Sequence, residues 1–217
     1  MSPIDTHPIP EGLLRMFRSR GTRLDVREGA TILHAGDPCT HVYLVQSGRV
    51  RFSLLSEAGR EPILSEVGEQ TIFGELAAID SLPLAAIASA VADTVLFRMG
   101  QTAFMELLRE DWDANLWVLR HLGGLLRSQT EQTFRLATLT SRARLVHELL
   151  TLTRGADGDD EVIVDLPTHS ELAARIGSHR EAVTRELGGL RKAGLLRQDG
   201  RKLVVLDMAR LQGLISG

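Results

Sequence analysis

Residues 168–192, THSELAARIGSHREAVTRELGGLRK, constrain this chain more than any other stretch. Leu172, Ala173 and Ile176 give a first short helix its apolar face. Gly177 breaks that helix, and Ser178 stands where a second helix needs an N-cap. The second helix carries Val183, Leu187 and Leu190 at steps of four and three, so one stripe faces inward. Arg180, Glu181 and Arg185 then fall near its start, on the opposite side. Two guanidiniums and a carboxylate at an exposed helix start match the chemistry of base edges in a major groove. Arg binds guanine through two hydrogen bonds, and Glu accepts from cytosine N4. The same residues also suit a solvated surface helix with an i,i+4 pair between Glu181 and Arg185.

The residues C-terminal to this helix favour the first reading. Leu195 and Leu196 lead into Gln198-Asp199-Gly200, then Arg201 and Lys202, then the apolar run Leu203, Val204, Val205 and Leu206. That pattern predicts strand, Asp-Gly turn and strand, with two cations at the tip. Two helices and then a basic hairpin make a winged helix-turn-helix. Residues 168–210 hold nine Lys/Arg against five Asp/Glu, a net +4, whereas the whole chain carries −3. A basic module on an acidic body fits a local phosphate-binding face rather than general stickiness.

The 217 residues suffice for one large or two modest domains, and 43% hydrophobic with 24% charged residues is ordinary for a globular chain. The first twelve residues, MSPIDTHPIPEG, have neither the basic nor the apolar part of a signal peptide. No apolar run nears the roughly 20 residues that span a bilayer. The expectation is therefore a cytoplasmic protein with no membrane partner. Cys39 is the one cysteine, which excludes an internal disulfide and a four-cysteine metal or iron–sulfur site within one chain. No cofactor and no metal are expected. Neither a P-loop, a GxGxxG nor an HExxH is present, and no Ser/His/Asp set can be argued from spacing, so no enzyme is predicted.

Between residues 24 and 98 short apolar runs alternate with turn residues. Strands are predicted at 24–26, 31–34, 41–45, 49–54, 62–67 and 87–97, with one or two helical turns at 73–79. Many short strands at this spacing imply a barrel or sandwich. Residues 102–138 read as one long helix. Leu119, Leu122, Leu126, Gln129, Thr133 and Leu136 recur at steps of three and four, a heptad-like seam that favours a parallel dimer over packing within one chain. Another helix begins at Ser141, residues 155–161 read as a loop, and Val162-Ile163-Val164 as a short strand.

This order of parts resembles the cyclic-AMP receptor protein / FNR (Crp/Fnr) superfamily of bacterial transcription regulators, over nearly the whole chain. The residues that carry the resemblance are Ile32-Leu33-His34-Ala35-Gly36-Asp37, Val45-Gln46-Ser47-Gly48-Arg49-Val50, Gly59-Arg60-Glu61-Pro62-Ile63-Leu64, Phe73-Gly74-Glu75-Leu76 and the run from Ser178 to Arg185. The resemblance implies an α+β fold: a β-roll sensor of the cyclic-nucleotide-binding jelly-roll kind over 1–109, a central dimerisation helix over 110–138, and a winged helix-turn-helix over 139–217. In the cyclic-AMP-binding branch, the residues matching Arg180, Glu181 and Arg185 read a TGTGA-like half-site. The candidate DNA-binding set is Thr168, Ser178, His179, Arg180, Glu181, Arg185, Arg201 and Lys202. His179 departs from the small hydroxyl residue often found there.

For the sensor, the resemblance implies that Glu75 of the Gly74-Glu75-Leu76 turn takes a ribose hydroxyl, and that an Arg-Ser or Arg-Thr pair some ten residues on holds a cyclic phosphate. Here that pair is Ala85 and Ala86. No Lys or Arg occurs between Glu61 and Phe97, while Glu61, Glu66, Glu69, Glu75, Asp80 and Asp93 all do. A buried phosphate wants a charge-assisted donor, which Arg supplies in bidentate form. The expectation is a pocket that does not bind cyclic AMP in the usual way. Gln129 and Thr130 match the part of the family's central helix that touches the nucleotide base. The predicted function is a homodimeric, sequence-specific transcription regulator with double-stranded DNA and RNA polymerase as partners and an unknown small-molecule effector. The alternatives are control by a cyclic mono- or dinucleotide bound in a non-standard way, and a ligand-binding protein without specific DNA binding.

Overall fold

Strand after short strand, each ended by a turn residue, builds the first half of the chain. The computed structural model describes residues 8–55, 61–153, 162–163 and 166–215. In chain order the elements are α1 (Glu11–Arg20), β1 (Thr22–Val26), β2 (Thr31–Leu33), β3 (His41–Ser47), β4 (Val50–Ser53), β5 (Ile63–Val67), β6 (Ile72–Phe73), α2 (Glu75–Asp80), β7 (Ile87–Ala90), β8 (Thr94–Gly100), α3 (Gln101–Glu110) and α4 (Trp112–Thr138). Then come α5 (Ser141–Thr153), β9 (Val162–Ile163), α6 (His169–Arg175), α7 (Arg180–Lys192), β10 (Leu196–Asp199), β11 (Lys202–Val205) and α8 (Met208–Gly213). The chain divides into two units, one ending at Ser128 and one beginning at Gln129, so α4 runs across the division.

The first unit holds two antiparallel four-stranded sheets, ordered β1-β8-β3-β6 and β2-β7-β4-β5. β3 is buried on both faces: alternation turns Tyr43 and Val45 to one cluster, with Val50, Ala88 and Leu96, and Val42 and Leu44 to the other. A second cluster joins Leu13, Leu14 and Phe17 of α1 to Val42 and Leu44 of β3, Phe104 and Leu107 of α3, and Trp117 and Val118 of α4. α1 is not among the elements expected from sequence, although Leu13, Leu14 and Phe17 give it a buried face.

Two predicted elements are divided in the structure. The run 87–97 is β7 and β8, separated at residues 91–93, where the Thr94 hydroxyl donates to the Ala92 carbonyl at 2.8 Å. The helix expected over 102–138 is α3 and α4. Asp111 leaves the helical region at φ −116°, ψ 102°, and its carboxylate accepts from the backbone N–H groups of Asp113 (3.0 Å) and Ala114 (3.1 Å). Asp111 therefore caps α4 instead of extending α3.

The second unit has one core. Leu145, Val146 and Leu149 of α5 meet Leu172 of α6, Val183, Leu187 and Leu190 of α7, and Leu203 and Val205 of β11. Its sheet is ordered β10-β11-β9. Pairing of Asp199 with Lys202 makes Gly200 and Arg201 the two turn residues, with Gly200 at φ +57°. The turn thus sits one residue later than the Asp-Gly expected, and Lys202 belongs to the strand. The loop expected at 155–161, residue Val164 and the motif residues Gly59 and Arg60 lie outside the described residues.

Candidate nucleic-acid interface and effector pocket

α6 starts on Thr168, whose hydroxyl accepts from the Glu171 N–H at 3.2 Å while the Glu171 carboxylate accepts from the Thr168 N–H at 3.0 Å. This reciprocal capping box satisfies two backbone donors at the helix start. Leu172 and Ala173 are buried, and Gly177 turns the chain at φ +60°. The Arg144 guanidinium of α5 fixes the turn from behind, donating to the carbonyls of Ile176 (2.8 Å) and Leu139 (2.7 Å).

The N-cap of α7 is His179, not Ser178 as expected. His179 has an extended backbone (φ −113°, ψ 150°) and gives no side-chain cap. The left-handed Gly177 precedes Ser178, whose hydroxyl reaches Ser141 at 3.4 Å, so the helix begins one residue later. The first-turn N–H groups of α7 therefore lack a side-chain acceptor at the cap position.

Val183, Leu187 and Leu190 are fully buried. Arg180, Glu181, Thr184 and Arg185 lie exposed on the other side of α7. Arg185 pairs with its neighbour Glu186 at 3.2 Å rather than with Glu181. Among the described residues the side chains of Arg180 and Glu181 have no hydrogen-bond or ion-pair partner. The Thr184 hydroxyl donates to the Arg180 carbonyl at 3.0 Å and lies 2.8 Å from Nδ1 of His169, joining α6 to α7. Sequence reasoning missed His169, since a polar residue inside the first turn carries no periodic signal. In the wing, Arg201 and Lys202 are both exposed, Arg201 in the turn and Lys202 at the head of β11.

In the sensor, Gly74 precedes α2 at φ +86°. A Cβ there would meet the His41 carbonyl at 2.8 Å and the Cys39 sulfur at 3.2 Å, so the turn needs glycine. Tyr43 and Phe73 face each other across β3 and β6 and stack at 4.8 Å, with Phe52 edge-on to Phe73 at 5.5 Å. Burial pushes the Cys39 thiol above its ordinary range, and the Glu75 charge adds to the effect. Burial likewise raises the Tyr43 phenol. His41 is held lower, first by desolvation and then by Arg98.

Glu75 is buried, while Leu76 is 55% exposed. Ala85 is exposed and Ala86 buried just before β7. The cations of β4 and the turn before it are engaged elsewhere: Arg51 lies 2.7 Å and Arg49 3.8 Å from the Glu66 carboxylate. A cyclic phosphate at Ala85 and Ala86 would find no guanidinium from its own strand, and these residues do not fit that group. Gln129 and Thr130 are exposed on α4, past the division at Ser128. Among the described residues no cluster of His, Cys, Asp and Glu could hold a metal ion, and no helix is long and apolar enough to cross a membrane.

The sequence matches two family models in order, a cyclic nucleotide-binding domain over residues 23–111 and a Crp-like helix-turn-helix domain over residues 143–214. It is similar to a global nitrogen regulator of Synechococcus elongatus, 31% identical over 92% of this chain and 95% of that protein. It is also similar to a cyclic AMP receptor protein of Thermus thermophilus, 32% identical over 88% of this chain and 86% of that protein. A solved CRP/FNR-family transcriptional regulator from Thermus thermophilus superposes with a TM-score of 0.71 at 28% identity, covering 90% of this chain and 99% of the other. The c-di-GMP-responsive global regulator CLP of Xanthomonas campestris shares the fold, with a TM-score of 0.76 at 24% identity over 92% and 100% of the two chains. These relatives are regulators rather than enzymes. A jelly-roll sensor, a long helix and a winged helix-turn-helix occur here in the order of those relatives, and the chain belongs to the Crp/Fnr family of DNA-binding transcription regulators.

Proposed function

We propose that the protein acts in the cytoplasm as a homodimer that reads a twofold-symmetric, TGTGA-like operator through the start of α7. The observation that carries this reading is the pairing of a buried stripe, Val183, Leu187 and Leu190, with exposed Arg180 and Glu181 free of partners among the described residues. Arg180 and Arg185 supply guanine contacts and Glu181 accepts from cytosine. The ion pair of Arg185 with Glu186 is solvent-exposed on the Arg side and weak, so DNA displaces it readily. Ser178, His179 and Thr168 flank the base contacts, and Arg201 and Lys202 bind phosphate.

The dimer reading rests on α4. Of the expected seam, Leu119 is 55%, Leu126 70% and Leu136 47% exposed. Apolar side chains at this spacing on one helix suit the same helix of a second copy. Leu122 departs from the expected seam, because it packs partly against the sensor core. RNA polymerase is the further partner, and the functional division is 1–109, 110–138 and 139–217. The sensor works without the usual phosphate-binding Arg, so cyclic AMP is not its ordinary ligand. An operator gel shift tests the reading. Arg180→Ala should lose about 10- to 100-fold of discrimination against non-specific DNA, equivalent to roughly 1–3 kcal/mol for one bidentate base contact. Full discrimination by the Arg180→Ala protein would overturn it.

A further inference from the structure

Glu75 heads α2 with its side chain 5% exposed, and its Oε1 lies 3.7 Å from Nε2 of His121 on α4, itself 3% exposed. Oε2 of Glu75 has no hydrogen-bond partner. A carboxylate this buried requires a counter-charge or a donor. No Lys or Arg of residues 61–97 can supply one, because none exists there. Cys39, just before β3, interacts electrostatically with Glu75, Tyr43 of β3 interacts with Cys39, His41 with Arg98, and Arg98 of β8 is exposed. Glu106, Arg109 and Glu110 of α3 and Asp113 and Arg120 of α4 are also solvent-exposed. His121 is the group within ion-pairing distance of Glu75.

The imidazole is itself held in place. Trp117, one turn earlier on α4, stacks on it with centroids 5.2 Å apart and planes 10° apart. Trp117 is buried in the cluster that contains Val42, Leu44, Ile72 and Phe104. The His121 end of the Glu75–His121 contact is thus fixed by packing.

We propose that Glu75 in this protein is not an effector ligand but one end of an internal tie. His121 closes the tie and holds the first half of α4 to the sensor sheets with no effector present. A ligand that engaged Glu75 would have to take it from His121, and at the phosphate end it would meet Ala85 and Ala86. The link from the Gly74-Glu75-Leu76 turn to α4 is made by the chain's own side chains, so operator binding does not wait for a cyclic nucleotide. The tie deepens the regulator reading and rests on it for the DNA readout alone.

The test uses full-length protein, unfolded in denaturant and refolded to remove bound small molecules. Amide hydrogen exchange should show residues 113–128 of α4 as protected as β3. Rapid exchange of those residues beside a protected β3 would overturn the proposal, and this readout needs no variant. Operator titrations then compare the wild type with Glu75→Gln, His121→Gln and the double variant, each with and without cyclic AMP. Cyclic AMP should change wild-type affinity less than about twofold. Each single substitution should shift affinity about tenfold in the same direction, and the double substitution no further, because the two groups act as a unit. Additive single effects, or a wild type that binds the operator only with cyclic AMP, would sink the tie. A protected α4 in a protein that selects no DNA would leave the tie standing and remove the regulator reading instead.

Discussion

At the scale of single residues, the cap of α7 is where a local rule is broken. His179 occupies the N-cap and makes no side-chain bond to the first turn. A small side-chain oxygen there would accept from an N–H two or three residues on. His179→Ser should therefore stabilise the C-terminal unit by about 1 kcal/mol in thermal unfolding; an unchanged or lower melting temperature would show that α7 is already capped another way. Cys39 gives a second prediction. Burial holds its thiol protonated beyond the ordinary thiol range, and the thiolate is the reactive form. Native protein at pH 8 should alkylate with iodoacetamide at least about tenfold more slowly than the unfolded chain. Linkage sets the sign for stability: the folded state keeps a proton that the unfolded chain releases at the ordinary thiol value. This contribution is fully present below that value and is lost as pH rises through the higher folded one. Equal alkylation rates in native and unfolded protein would contradict it.

At the scale of elements, dimerisation is the property most exposed to test. Leu126 is 70% exposed in the middle of α4. Leu126→Glu should weaken dimer formation by about 30-fold or more in sedimentation equilibrium, since it places a charge at the centre of an apolar contact; an undisturbed dimer would move the interface off α4. How far each element could be read from sequence depended on how local its cause was. The stripe Val183, Leu187 and Leu190 is a property of one helix and is visible in spacing alone, as is the hairpin of β10 and β11. The start of α7 was misplaced by one residue because Ser178 is a good cap in isolation, and its hydroxyl is directed instead to Ser141, distant in sequence. The break at Asp111 was hidden because apolar periodicity continues through it, while a carboxylate cap made in three dimensions ends one helix and starts the next. The pairing of β1 with β8 closes one sheet between distant segments, and strand register of that kind is set by tertiary burial. The Glu75–His121 contact was illegible for the same reason: Glu75 sits in a recognisable motif, but His121 belongs to a helix whose approach no local pattern encodes.

At the scale of the whole molecule, an acidic chain of net charge −3 carries a helix-turn-helix segment with a local charge of +4 over residues 168–210. In the proposed homodimer two such segments meet adjacent major grooves about 34 Å apart, so the expected target is a palindrome with half-sites one helical turn apart. With the proposed roles, phosphate contacts by Arg201 and Lys202 should give affinity that falls as salt rises, and base contacts by α7 should give selection. The measurement that tests this most directly is selection of binding sites by the purified protein from a random pool of double-stranded DNA, run beside Arg180→Ala. The expected result is a twofold-symmetric consensus with guanine-containing half-sites, from which Arg180→Ala loses preference at one symmetric pair of positions. A pool that stays random for the wild type, or a consensus that Arg180→Ala reproduces unchanged, would contradict it.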